Sequence, residues 1–284
     1  RKIIGWDEIL EGGLAPNAAV MSWRGTEGGV AAAKSGHYAV MSPGSHCYFD
    51  HYQGDPANEP LAIGGHTTVQ KVYSYEPIPT ELNAADAKYI LGAQGNIWTE
   101  YILTPEHVEY MAVPRMLALA EVLWTPKEKR NEADFIRRLE AEFPRLEAME
   151  VNASKSLYQV TITPSQGPTP GVIMVNLSSS NGGNITTQTF GGADWQVLTG
   201  PILIDGDYLI AARTEKDGRT GPASRLSFHF NQTTAQKITT TPPPAERYSD
   251  GGAFTLVDGI TAQEKRVNTE WLGWLKDVTI TVDL

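Results

Sequence analysis

Ala18-Ala19-Val20-Met21-Ser22-Trp23, then Glu27-Gly28-Gly29-Val30-Ala31-Ala32-Ala33-Lys34-Ser35-Gly36, then Tyr38-Ala39-Val40-Met41-Ser42: this stretch decides the fold. Its first and last segments are short and apolar and give way to Gly, Pro or polar residues, as strands covered on both faces do. Between them Glu27–Ser35 reads as a helix closed by Gly36, a residue suited to the left-handed position after a helix end. Strand, helix and strand in that order imply a βα unit and a parallel sheet.

Reading outward, Lys2–Trp6 and Tyr89–Trp98 supply two more runs of the same kind. Thr104-Pro105-Glu106 opens the strongest helix, with an N-cap Thr, Pro in the first turn and an early acid. Val108, Met111, Leu119 and Val122 recur at helical spacing as far as Leu123, and Pro114 is expected to kink the helix. Four strand–helix units amount to half of an eight-unit (β/α)8 TIM barrel, assigned to residues 1–155. Glu132–Met149 forms a second amphipathic helix with Phe135, Ile136, Leu139, Phe143 and Leu146 on one face, its Glu and Arg residues facing solvent.

Composition shifts near residue 156. Thr-, Ser- and Gly-rich sequence with alternating runs (Leu157–Thr163, Val172–Leu177, Tyr208–Arg213) predicts a small all-β sandwich over 156–237. Pro242-Pro243-Pro244 reads as a stiff linker. Residues 245–284 hold two or three further strand candidates, too few to bury a core of their own, so a third, truncated β-domain is expected there. The fold class is therefore multidomain, α/β followed by all-β.

A formal charge of −10 lacks the basic stripe of a nucleic-acid binder. No apolar run reaches the roughly 20 residues that span a bilayer. Cys47 is the one cysteine, which excludes intrachain disulfides and multi-thiolate zinc sites. The six histidines show no metal-ligand spacing, so neither metal nor cofactor is expected. The start at Arg1-Lys2-Ile3 looks like a cut, and the chain is read as an internal fragment.

Chemistry concentrates at the strand ends. Trp6, Trp23 and Trp98 each close a predicted parallel strand, on the edge where barrels build their active sites. Aromatic rings suit sugars because the C–H face of a pyranose packs on them. Tyr48 and Asp50, and likewise Trp98 and Glu100, stand two apart. If each strand continues, each aromatic and its acid share one face and can grip sugar hydroxyls. Asp7-Glu8 invites a two-carboxylate reading, but neighbours on a strand face opposite ways. The pair is therefore read as structural or supporting residues around the site, not readily able to act together from one strand, and not as catalysts.

The segments Gly5-Trp6-Asp7-Glu8-Ile9, Val20-Met21-Ser22-Trp23-Arg24, Cys47-Tyr48-Phe49-Asp50, Gly92-Ala93-Gln94-Gly95-Asn96-Ile97-Trp98-Thr99-Glu100-Tyr101 and Tyr110–Trp124 occur in this order. Together they make residues 3–125 resemble the second half of the barrel of glycoside hydrolase family 20, the β-N-acetylhexosaminidases. The resemblance implies removal of terminal GlcNAc or GalNAc from glycans by substrate-assisted, retaining hydrolysis. It implies that Trp6, Trp23 and Trp98 wall an acetamido pocket, that Tyr48 orients the acetamido carbonyl, and that Asp50 and Glu100 bind sugar hydroxyls. The family's His-x-Gly-Gly motif and its catalytic Asp-Glu pair are absent, so the fragment alone is expected to be inactive. Residues 156–230 look like the sandwich that follows such barrels in Bacteroidetes-type enzymes. Residues 248–274 resemble the opening of a discoidin-like (F5/8 type C) carbohydrate-binding domain. The expected partner is a glycan ending in N-acetylhexosamine. Family habit places the protein in the periplasm, on the outer membrane or outside the cell. A non-catalytic carbohydrate-binding or scaffold protein with a degenerate barrel is the alternative.

Overall fold

A computed structural model describes residues 3–188, 194–249, 251–262 and 270–284. The chain divides into two compact units, residues 1–53 with 66–154, and residues 54–65 with 155–284.

The first unit carries the strand–helix alternation. Its elements are β1 (Ile3–Trp6), β2 (Ala18–Ser22), α1 (Glu27–Lys34), β3 (Ala39–Met41), α2 (Val69–Tyr73), α3 (Ala84–Ala87), β4 (Ile90–Ala93), α4 (Pro105–Ala112), α5 (Arg115–Trp124) and α6 (Glu132–Ala148). The strands form one sheet in the order β1-β2-β3-β4. All pairings are parallel: Ile3 faces Ala18, Val20 faces Ala39, and Ala39 faces Ile90. Helix α1 lays Ala32 and Ala33, both fully buried, toward the sheet, and Val20, Ala32 and Ala39 form one apolar cluster. Gly36 takes the expected left-handed φ of 80° after α1.

Two expectations need correction. Tyr89–Trp98 is not one strand: pairing stops at Ala93, and beyond it only Asn96 bridges, to Tyr48. Nor is Thr104–Leu123 one kinked helix. It is broken into α4 and α5, because Pro114 offers no N–H to the α4 ladder and holds Val113 in extended backbone (φ −102°, ψ 128°). The break resets the helical phase, so Met111, Leu119 and Val122 are buried whereas Val108 is exposed. Thr104 caps α4 by accepting from the His107 N–H at 3.2 Å. In α6 all five predicted core residues are buried. Its polar face is not wholly solvated: Arg138 donates to both oxygens of Glu121 on α5 at 2.7 Å.

The second unit is antiparallel. Strands β5 (Val160–Gln166), β6 (Ile173–Ser179), β7 (Asn184–Gln188), β8 (Gln196–Val197), β9 (Ile202–Ile204), β10 (Tyr208–Lys216), β11 (Arg219–Thr220) and β12 (Ser224–Phe228) make two sheets. One runs β5-β6-β9; the other runs β11-β10-β7-β8 with β12 also on β10. Val160, Ile173, Val175 and Ile204 from the first meet Ile210, Ala212, Leu226 and Phe228 from the second in one core. Phe254 and Ile260 pack on that same core. β13 (Ile238–Thr241) pairs with β14 (Thr279–Val282). No helix among the described residues is long and apolar enough to cross a membrane.

Candidate active site

Because β1 to β4 are parallel, their C-terminal ends share one edge of the sheet, and the chemistry-bearing residues gather there. Trp6 ends β1, Trp23 follows β2, the loop after β3 carries Tyr48 and Asp50, and the extension of β4 carries Trp98 and Glu100. The Trp6 and Trp98 rings lie 5.8 Å apart, and the Trp23 and Tyr48 rings stack at 6.3 Å. Trp6 and Trp98 keep much of their surface exposed, as sugar-facing rings would.

The loop after β3 is tied to the extension of β4 through backbone. Asn96 donates its N–H to the Cys47 carbonyl and accepts from the Phe49 N–H, both at 2.7 Å. The buried Asn96 amide also donates to Ser42 Oγ at 2.7 Å and accepts from Gln94 at 2.8 Å. Gly95 is required beside it, because a Cβ there would lie 2.6 Å from the Phe49 ring. From the other side comes Arg115, fully buried. Its guanidinium donates to the carbonyls of Phe49 (2.6 Å), His51 (2.9 Å), Thr67 (3.0 Å) and Met111 (3.1 Å) and lies over the Phe49 ring.

The expected face-sharing by strand alternation does not occur. Asp50 lies in a turn and Glu100 begins another, so neither continues an extended strand from its aromatic partner. Asp50 and Glu100 are nonetheless near enough to interact electrostatically. Asp50 is buried, and its Oδ1 has no hydrogen-bond partner in the structure. Burial chiefly, and Glu100 nearby, push its carboxyl up to about 6, with Arg115 opposing. Burial likewise raises the Tyr48 hydroxyl, with Asp50 and Asp7 adding to it, while Trp98 and Asn96 oppose through hydrogen bonds. His51 lies beside the Tyr48 ring at 5.6 Å and is driven down to about 4, first by burial and then by the Arg115 charge, which keeps it neutral.

Asp7 and Glu8 are supporting residues as expected, but on different local structure. They lie in a 3-10 turn, Asp7–Gly12, not on a strand, so opposite facing does not apply. Both reach the same residue. Asp7 Oδ2 accepts the backbone N–H groups of Trp23 (3.1 Å) and Arg24 (3.2 Å), and its Oδ1 accepts from Arg24 Nε at 2.6 Å. Both Glu8 oxygens stand 3.1 Å from the Trp23 indole nitrogen. Among the described residues no cluster of three His, Cys, Asp or Glu could hold a metal.

Arg115 and Asn96 are the residues whose parts sequence reasoning missed. The available signal for Arg115 was a lone charge heading the apolar run Met116-Leu117-Ala118-Leu119-Ala120; for Asn96 it was an amide between Gly95 and Ile97 just past a buried strand.

Residues 1–127 match Glycosyl hydrolase family 20, catalytic domain. The chain is 55% identical over 153 residues to a beta-hexosaminidase of Porphyromonas gingivalis, covering 54% of this chain and 20% of that protein. It is 31% identical to a beta-N-acetylhexosaminidase of Cellulomonas fimi, covering 51% of this chain and 29% of the relative. Among solved structures it is similar to a family 20 exo beta-N-acetylglucosaminidase of Vibrio harveyi in complex with N-acetylglucosamine. There the TM-score is 0.50 and the identity 31%, over 55% of this chain and 25% of the other. The chain thus spans 20% and 29% of the lengths of these two curated relatives.

Proposed function

We propose, from the match of residues 1–127 to the catalytic domain of glycosyl hydrolase family 20, that the whole protein is an exo-β-N-acetylhexosaminidase. It removes terminal GlcNAc or GalNAc from glycans by substrate-assisted, retaining hydrolysis. The observation that carries the reading is the gathering of Trp6, Trp23, Tyr48 and Trp98 at one sheet edge, on loops that also bear the buried Asp50 with its unpartnered Oδ1.

In this reading the 2-acetamido carbonyl oxygen of the substrate attacks its own anomeric carbon, forming a cyclic oxazolinium as the glycosidic bond breaks. The three tryptophans wall the acetamido group, exclude water and hold the oxygen in an attacking pose, which is proximity catalysis. Tyr48 donates its hydroxyl proton to that oxygen in a hydrogen bond. Burial keeps the phenol protonated, as a donor must be. Asp50 and Glu100 accept from sugar hydroxyls, and Asp50 Oδ1 gains the partner it otherwise lacks. Protonation of the leaving oxygen requires the family's Asp-Glu pair, which follows a His-x-Gly-Gly motif this sequence does not contain. The 284-residue chain therefore holds the sugar-posing half of the site and is inactive alone. The second unit is read as a β-sandwich followed by the start of a discoidin-like carbohydrate-binding domain; its two antiparallel sheets sharing one core support the first part. Export to the periplasm, outer membrane or medium is part of the same reading, to be checked by cell fractionation.

Tyr48→Phe and Trp98→Ala in the full-length protein test the assignment. Hydrolysis of an aryl N-acetylglucosaminide is expected to fall by at least about 100-fold, the scale of losing an oriented group at the reacting centre. Normal cleavage by both variants would overturn the assignment. N-acetyl-thiazoline, which mimics the cyclic intermediate, should bind tightly; a degenerate, purely carbohydrate-binding barrel would show neither turnover nor this affinity.

A further inference from the structure

The adjacent acids Asp7 and Glu8 both act on Trp23, one on its backbone and one on its ring. Asp7 is buried and accepts the Trp23 N–H at 3.1 Å, which fixes where the residue leaves β2. With the backbone fixed, the indole keeps two side-chain torsions. Glu8 restrains them: both its oxygens stand 3.1 Å from Nε1, on the pyrrole part of the indole, so rotation of the ring breaks the bond. The Tyr48 ring stacks beside it, 6.3 Å away. Glu8 is itself exposed and contributes nothing to the core. A carboxylate accepting an indole N–H gives a directional, charge-assisted bond, so it sets an angle more than a stability.

We propose that Glu8 is a positioning residue that fixes the tilt of the Trp23 ring and thereby sets how large an N-acyl group the pocket accepts. This rests on the reading of Trp23 as a wall of the acetamido pocket. A tethered ring presents a rigid wall matched to one acyl size. An untethered ring swings, losing complementarity to the acetyl group while admitting longer chains.

The test compares the full-length parent with Glu8→Ala, Glu8→Gln and Trp23→Ala, using 4-nitrophenyl glycosides of GlcNAc and of its N-butanoyl analogue. Glu8→Ala is expected to lower the acetyl-to-butanoyl ratio of kcat/KM by about three- to tenfold, the scale of one partly exposed hydrogen bond. Glu8→Gln keeps an acceptor oxygen for the indole and should restore most of the ratio, a rescue that a loss of folding or of bulk charge would not show. If Trp23→Ala collapses the ratio and Glu8→Ala leaves it unchanged, the tether is overturned while the pocket stands. If Trp23→Ala also leaves the ratio unchanged, Trp23 does not wall the pocket, and both readings fall.

Discussion

Asp50 shows how one residue's setting shapes its chemistry. Its carboxyl is pushed from 3.8 up to about 6, first by burial and then by Glu100, so folding favours the protonated form. Between those two values the folded state binds more protons than the unfolded chain. The associated stability is fully present below pH 3.8 and is lost as pH rises through about 6. Asp50→Asn, which cannot ionise, is therefore expected to gain thermal stability over the parent at pH 7 and little at pH 3.5. Melting curves of both proteins at the two pH values check this, and an equal shift at both would contradict it. Ligand binding has the opposite sign, since only the carboxylate accepts two hydroxyl protons. Affinity for the sugar should weaken as pH drops below about 6.

Among the elements, the loop that bears Tyr48 and Asp50 has no regular structure of its own and is held by its neighbours. The extension of β4 grips it through Asn96, and α5 grips it through the first residue, Arg115. Arg115 sits where α4 and α5 separate, so one side chain answers the Met111 carbonyl near the end of α4 and the Phe49 and His51 carbonyls of the loop. Arg115→Met removes these donors and strands buried acceptors, at an expected cost on the order of 3 kcal/mol or more. Denaturant unfolding measures the loss, and a change below about 1 kcal/mol, the net worth of a single hydrogen bond, would mean the loop does not depend on it.

The whole molecule is marked by what its sheet leaves uncovered. Among the described residues β1 and β4 each have one paired neighbour, and Ile3, Ile4 and Leu91 on them are more than half exposed, as is Trp124 at the end of α5. Parallel strands with apolar residues on both faces are built to be covered, and open edges of that kind invite association. The purified 284-residue chain is expected to self-associate and to show no hydrolysis of an aryl N-acetylglucosaminide. Sedimentation and a turnover assay examine the two halves of that statement, and measurable turnover by the chain alone would refute the second.

From the sequence by itself came the parallel sheet of the first unit, the α6 core face, the change to antiparallel structure after residue 156, and the resemblance of residues 3–125 to glycoside hydrolase family 20, which residues 1–127 also match. These rest on local periodicity and ordered short motifs, which require no knowledge of distant contacts. Tertiary structure decided the rest. Strand alternation was the wrong ground for pairing Tyr48 with Asp50 and Trp98 with Glu100, because the chain turns at each acid; folding instead brings Glu100 near enough to Asp50 to raise its carboxyl. The same is true of the ground on which Asp7 and Glu8 were read as supporting residues and not as a catalytic pair. A 3-10 turn brings both onto Trp23, 16 and 15 residues further along the chain. Arg115 reaches 66 residues back to Phe49. Bonds over such separations leave no period in the sequence, so only the folded chain could reveal them.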